Sequence, residues 1–158
     1  MYPASLCLTM SSLTIDELRQ RVGQEIGVSE PFEITQDRVN LFADATEDHQ
    51  WIHVDPERAR GGPYGGPIAH GYLTLSLIPY LMGRTLQVGG VRMGVNYGLN
   101  RLRFPAPVPV PGTVRAAFTL NDLKPIDGGA QLLVGFEVRV EGAAKPSAAG
   151  EAVFNYYT

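Results

Sequence analysis

The sequence predicts an α+β fold in which a curved antiparallel sheet wraps around one long central helix. Three observations carry that prediction. The first is the run 68–82, the most apolar in the chain, whose apolar side chains fall on more than one face of a helix. The second is a set of four alternating stretches after it, near 91–104, 114–120, 132–140 and 148–157. Such alternation is the signature of strands with one buried face. The third is a matter of cover: a sheet with one apolar face needs a partner layer, and this run is the only element apolar enough to supply it.

The 158 residues suffice for one domain with a real core and are too few for two. We place that domain at 13–158 and read 1–12 as a flexible tail. Hydrophobic residues make up 44% of the chain and charged ones 18%, so it is globular and not disordered. The net charge of −3 and the lack of a basic cluster exclude nucleic acid as the main partner. Lys and Arg are scattered, which leaves membrane-surface binding without support. The central run falls short of the ~20 apolar residues that a membrane span requires. Cys7 is the single cysteine, hence no internal disulfide forms. The opening MYPASLCLTM lacks the features of a signal peptide. The reading is a cytoplasmic protein, with translation able to start at Met1 or Met10.

In chain order, 13–22 is a short amphipathic helix that Ser12 or Thr14 can cap, with Asp16 and Glu17 suited to its positive end. Residues 25–35 are extended, and Pro31 restricts them to an edge or an irregular strand. Thr35 caps a second helix over 36–45, which delivers the chain to Asp48. The central helix follows, expected to be buried nearly all round, with Pro79 kinking it or marking the start of its last part, and stopped at Gly83. After it the alternating phase slips near Asn100, which predicts a bulge. The PAPVPVP segment at 105–111 is a stiff extended connector. Asp127-Gly128-Gly129 is a hairpin turn.

The chemistry sits in 48–82, DHQWIHVDPERARGGPYGGPIAHGYLTLSLIPYLM. Asp48 and His53 are five apart, and in a continuous helix that spacing splays side chains away from each other. Cooperation therefore requires a turn between them. Val54-Asp55-Pro56 supports an interruption, because a residue before proline leaves the helical region. Gly61-Gly62-Pro63 and Gly65-Gly66-Pro67 then make a long irregular connection, the kind of segment that carries function beside a rigid core.

The pieces FADATEDHQWIHVDP, GGPIAHGYLTLSLIPYLM and LRFPAPVPVPG resemble the MaoC-like dehydratases, or (R)-specific enoyl-CoA hydratases, over roughly 20–157. That resemblance implies the hot-dog fold and the reversible addition of water to a trans-2-enoyl-CoA. It implies Asp48 and His53 as the catalytic pair, with Asp48 as general base and His53 orienting the shared water and sharing the proton, the division of roles between them left open. The Gly71 backbone N–H is carried over as the group that receives the charge of the thioester oxygen, its missing side chain permitting close approach. His70 is read as a brace for the loop. No metal and no redox cofactor is implied, since coenzyme A belongs to the substrate. A homodimer with a continuous sheet is expected, because one such unit leaves a sheet edge uncovered.

Plainer readings stand beside these. An isolated Asp48 is a turn or cap residue, and an isolated His53 a structural histidine; the joint motif favours chemistry. His49 is a solvated or capping residue, and Trp51 and Ile52 are core or pocket wall. Arg101 and Arg103 can meet coenzyme A phosphates, although charges on a strand usually mark a solvated face. His49 and His53 superficially match a zinc helix. However, Gln50 stands where the catalytic Glu belongs, and Val54-Asp55-Pro56 ends the helix at once. Departures from the family pattern are Glu47, where Gly is common, Asp48-His49-Gln50-Trp51, where many relatives continue Asp-x-Asn-Pro, and Pro79, where some relatives carry serine. Alternative functions on this fold are an acyl-CoA thioesterase and a non-catalytic acyl-CoA-binding subunit of a larger dehydratase.

Overall fold

The computed structural model describes residues 11–158. The elements in order are β1 (Ser11–Thr14), α1 (Ile15–Arg19), β2 (Glu25–Val28), β3 (Phe32–Ile34), α2 (Gln36–Thr46), α3 (Trp51–Val54) and α4 (Pro56–Arg60). Then come α5 (Gly71–Ser76), α6 (Ile78–Thr85), β4 (Leu86–Gly89), β5 (Met93–Arg103), β6 (Gly112–Ile126), β7 (Gly129–Val140) and β8 (Ala148–Tyr157).

Alternation builds the main sheet, whose strands lie in the order β2-β6-β7-β8-β5, with β3 also on β6. Val114, Ala116, Phe118 and Leu120 of β6 are buried on one face, as are Leu132, Val134, Phe136 and Val138 of β7. They form one core with Leu73, Ile78, Leu81 and Met82 of the helix. Each of these side chains larger than alanine contributes roughly 1.5–3 kcal/mol by leaving water. The turn between β6 and β7 is Asp127-Gly128, with Gly128 at φ 72°, the left-handed geometry that a two-residue hairpin requires. β5 slips register against β8 between Leu99 and Arg101, at the expected bulge, and again between Asn96 and Gly98. β6 slips between Leu120 and Asp122. The extra residues Asn100 and Asn121 both donate to Glu151 of β8, at 2.7 and 2.6 Å. Those two bonds, Asn100 first, hold the Glu151 carboxyl below its ordinary pKa. Gly135 lets Asn121 cross β7, since a Cβ there would lie 3.0 Å from the amide nitrogen.

The central helix runs as two pieces with Leu77 between them, and Pro79 lies in the first turn of α6, where its missing N–H costs nothing. Bonds from Leu77 N to Leu73 O and from Leu81 N to Leu77 O carry the axis across the break. Its burial corrects the expectation of all-round cover: Tyr72 and Tyr80 are exposed, while Leu73, Thr74, Ile78, Leu81 and Met82 are buried. The sheet of one chain wraps only one flank. Gly83 does not end the helix either. Leu81 and Met82 hold the last turn in the core, and the Thr85 hydroxyl donates to Leu81 O at 2.7 Å.

At the amino end the first helix is shorter than the expected 13–22. Thr14 caps it in a reciprocal box with Glu17. The residues before it pair with β4 in a parallel two-stranded sheet, Ser11 against Leu86 through Thr14 against Gly89. Neither strand has enough alternating residues to be read from sequence. Residues 1–10 lie outside the described residues, and of the tail assigned to 1–12 only Ser11 and Ser12 are seen, inside β1. Residues 25–35 split into β2 and β3, with Ser29, Glu30 and Pro31 between them.

Candidate active site

Thr35 caps α2, its hydroxyl accepting from Arg38 N at 3.3 Å. The helix ends at Glu47, whose φ of 61° is left-handed. This explains why glycine suits the position: a side chain there costs roughly 1–2 kcal/mol. Glu47 is exposed and turns the chain into 48–50, after which α3 begins. That turn is what the spacing of Asp48 and His53 demanded. Asp55 then caps α4, accepting from Arg58 N at 3.0 Å. Arg58 lies 4.5 Å over the Trp51 ring, and Gly62 passes so close to that ring that a Cβ would stand 2.9 Å from it. Trp51 thus staples the glycine-rich connection to α3.

Asp48, His53 and His70 come together, with one polar side-chain atom of each within 4.8 Å of the others. His53 is 6% exposed and His70 2%, whereas the Asp48 side chain is about half exposed at 53%. The His53 Nδ1–H donates to the Ile68 carbonyl at 2.6 Å. A carbonyl only accepts, so the tautomer is settled and the neutral ring has a bare lone pair on Nε2. The Gln36 amide donates to the His53 backbone carbonyl at 2.7 Å and locks the residue from behind. The His70 ring stacks on His53 with centroids 3.8 Å apart. Its Nε2–H donates to the backbone carbonyl of Asp48 at 2.9 Å, a bond across 22 residues. This bond ties His70 to the loop that carries Asp48. His70 Nδ1 is buried without a partner among the described residues.

Burial lowers the His53 pKa from its ordinary 6.5, and the neighbouring His70 adds to that, against the Ile68 hydrogen bond and the Asp48 charge. The imidazole is neutral at neutral pH. His49 points away from the pair. It is exposed and bonds Asp44 at 2.9 Å, which raises its pKa. This removes it from the zinc pattern of His49 with His53.

Gly71 opens α5, where the helix itself offers its N–H no acceptor. Sequence reading missed how this region is held. Ala69 N donates to Val108 O and Val110 N to Pro67 O, each at 2.9 Å, and Ile68 bridges Pro109. The proline-rich connector is therefore paired with the strand-like residues that present the Ile68 carbonyl. Buried Val108 and Val110 anchor it. The available signal was the alternation within PAPVPVP, which reads as an edge seeking a partner. Gln36 had no signal beyond its place after a cap. Arg101 and Arg103 are exposed on β5, away from Asp48 in sequence and element.

A sheet folded over a helix, with a carboxylate and an imidazole beside the start of that helix, is the arrangement of hot-dog hydro-lyases. The chain belongs to the MaoC-like dehydratase family: the family described as "MaoC like domain" matches residues 17–141. It is 49% identical over 144 residues to 3-hydroxyacyl-thioester dehydratase Z of Mycobacterium tuberculosis, covering 90% of this chain and 95% of that protein. It is 44% identical over 134 residues to nodulation protein N of Rhizobium leguminosarum, covering 84% and 83%. Among solved structures, the (R)-hydratase from A. caviae superposes with a TM-score of 0.64 at 27% identity, over 80% of this chain and 94% of that one.

Proposed function

We propose that this protein is an (R)-specific enoyl-CoA hydratase, adding water reversibly to a trans-2-enoyl-CoA to give an (R)-3-hydroxyacyl-CoA. The observation that carries the reading is the convergence of Asp48 and His53, five residues apart, beside the first turn of α5. Asp48, the solvent-facing member, takes a proton from water as the oxygen bonds to C3. His53 has no proton on Nε2 and can only accept a hydrogen bond from the same water, which aims the oxygen. The protonated Asp48 then delivers its proton to C2, so one water is consumed and both carboxylate and imidazole return to their starting states. The charge that grows on the thioester oxygen is received by the Gly71 N–H, a preorganised donor worth ~3 kcal/mol in the transition state. No metal or redox step enters this scheme, and coenzyme A arrives as part of the substrate.

A cavity of about 360 Å³ lies between the helix and β5–β8, lined by Leu75, Ile78, Pro79, Leu99 and Phe154 among others. Its apolar wall supports the assignment of the acyl tail to it, with Pro79 in place of a polar side chain. Incubation with trans-2-butenoyl-CoA tests the function. Loss of the enone absorbance with an (R) product supports hydration, and release of free thiol without hydration would sink it in favour of a thioesterase.

The acid side of the pH profile follows from His53. Its neutral form is the working one and its pKa lies below 6.5, so the half-maximal point of kcat/KM on the acid side is expected below pH 6.5. Stability follows the same sign: the contribution of neutral His53 is complete above about pH 6.5 and is lost as pH falls through the lower folded value. A half-maximal kcat/KM above pH 7 on the acid limb contradicts the assignment.

The working unit is a homodimer in this proposal. β5 ends the sheet with Met93, Val95, Tyr97 and Leu99 exposed, and the exposed Tyr72 of the helix meets Phe104 just after that strand. An uncovered edge with apolar side chains is a surface that proteins pair or protect. Light scattering at micromolar concentration is expected to give twice the 17.2 kDa chain mass, and a monomer refutes this point. The cytoplasm is the proposed location; among the described residues no helix is long and apolar enough to cross a membrane.

A further inference from the structure

The space beside Gly71 has an occupant. A Cβ built on Gly71 would stand 2.8–2.9 Å from three atoms of the Phe104 ring, well inside the ~3.5–4.0 Å at which carbon atoms rest. Phe104 follows directly on β5, and its ring meets Tyr72 edge-on at 5.9 Å. The residue keeps 39% of its surface exposed, so a large apolar ring stands at the start of α5 with one side open. The segment that carries it is tied down before Phe104 by the pairing of Arg103 with Ala149 and after it by two hydrogen bonds. Val108 O accepts from Ala69 N, two residues before Gly71, and Pro107 O accepts from the buried Ser147 hydroxyl at 3.4 Å.

We propose that Phe104 is a positioning residue for the oxyanion amide. Its ring seats against the bare Cα of Gly71, fixes the direction of the Gly71 N–H, and forms the apolar wall against which the thioester lies. Glycine is then required at 71 to admit the ring, in addition to any approach by substrate. An apolar ring beside the N–H also excludes water, and a hydrogen bond to a developing charge is stronger where the dielectric is low. This proposal rests on the hydratase reading of the same site.

A double-mutant cycle tests it, with kcat and KM for trans-2-butenoyl-CoA and the unfolding midpoint as readouts. Gly71→Ala forces the first turn and the ring apart, and a misplacement of ~1 Å is expected to lower kcat about 100-fold. Phe104→Ala is expected to lower kcat about 10-fold, with a smaller change in KM, by freeing the amide. In the double variant the new methyl takes part of the space the ring leaves. Its kcat is expected to exceed that of Gly71→Ala by about 10-fold, so the second change repairs the first. A double variant no faster than Gly71→Ala, or Phe104→Ala with wild-type kcat, overturns the proposal. Where Gly71→Ala does not fold, Phe104→Leu replaces it: leucine is expected to recover most of the kcat that alanine loses, and equal loss in both overturns the proposal. Wild-type protein without hydratase turnover overturns the hydratase reading and this proposal together. An additive cycle in an active enzyme overturns this proposal alone.

Discussion

Asp48→Asn is expected to abolish practical turnover, lowering kcat by about 10³-fold or more while the protein folds as before. The amide is nearly the same size and shape as the carboxylate. It keeps hydrogen bonding to water but cannot take a proton from it or hand one to C2. Structure should be spared because the buried contact of residue 48 is made by its backbone, whose carbonyl accepts from His70, and the side chain faces solvent. The measurement is loss of enone absorbance, read against the unfolding midpoint and coenzyme A binding. A variant that keeps kcat within about 10-fold of wild type would remove Asp48 as the base.

The second large effect is expected from His53→Phe. Phenylalanine fills the buried space and keeps a flat ring against His70, so packing is retained. It has no Nδ1–H for the Ile68 carbonyl and no Nε2 lone pair for the water. We expect kcat to fall about 10²–10³-fold. The orphaned Ile68 carbonyl should cost ~1–3 kcal/mol of stability. The acid limb attributed to His53 should vanish from the remaining activity. That last readout separates chemistry from packing, because a structural histidine has no reason to carry the limb. Residual activity with an unchanged acid limb would transfer that titration to another group.

The two variants probe opposite sides of the same loop, and the loop shows where sequence reasoning works. The turn between Asp48 and His53 and the break at Pro56 were legible because they are local chemistry, whereas the roles given to Asp48, His53, Gly71 and His70 came from the resemblance to a known family. The structure brings all four of those residues to one end of the central helix. The alternating strands and the bulge near Asn100 were legible for a similar reason, since period two depends only on which face a residue meets. The missed features depend on distant parts of the chain. The partner of His53 Nδ1 is a carbonyl 15 residues away, and the residues flanking that carbonyl are paired with a connector some 40 residues further on. Backbone carbonyls are the same in every sequence, so no residue type announced them. The all-round burial expected of the central helix failed because apolar content measures what a face prefers. Only the sheet decides which faces it covers, and Tyr72 and Tyr80 are left outside.

The amino-acid order alone determined the α+β class, the antiparallel strands, the apolar central helix and the turn that must separate Asp48 from His53. Each follows from spacing, turn chemistry or periodicity, which act over a few residues. Tertiary structure alone decided the tautomer of His53, the lowered basicity of its ring, the stacking of His70 and the seat of Phe104 on Gly71. Those depend on burial and on hydrogen-bond partners far away in the chain, which exist only after the connector, the loop and the helix have closed on one another.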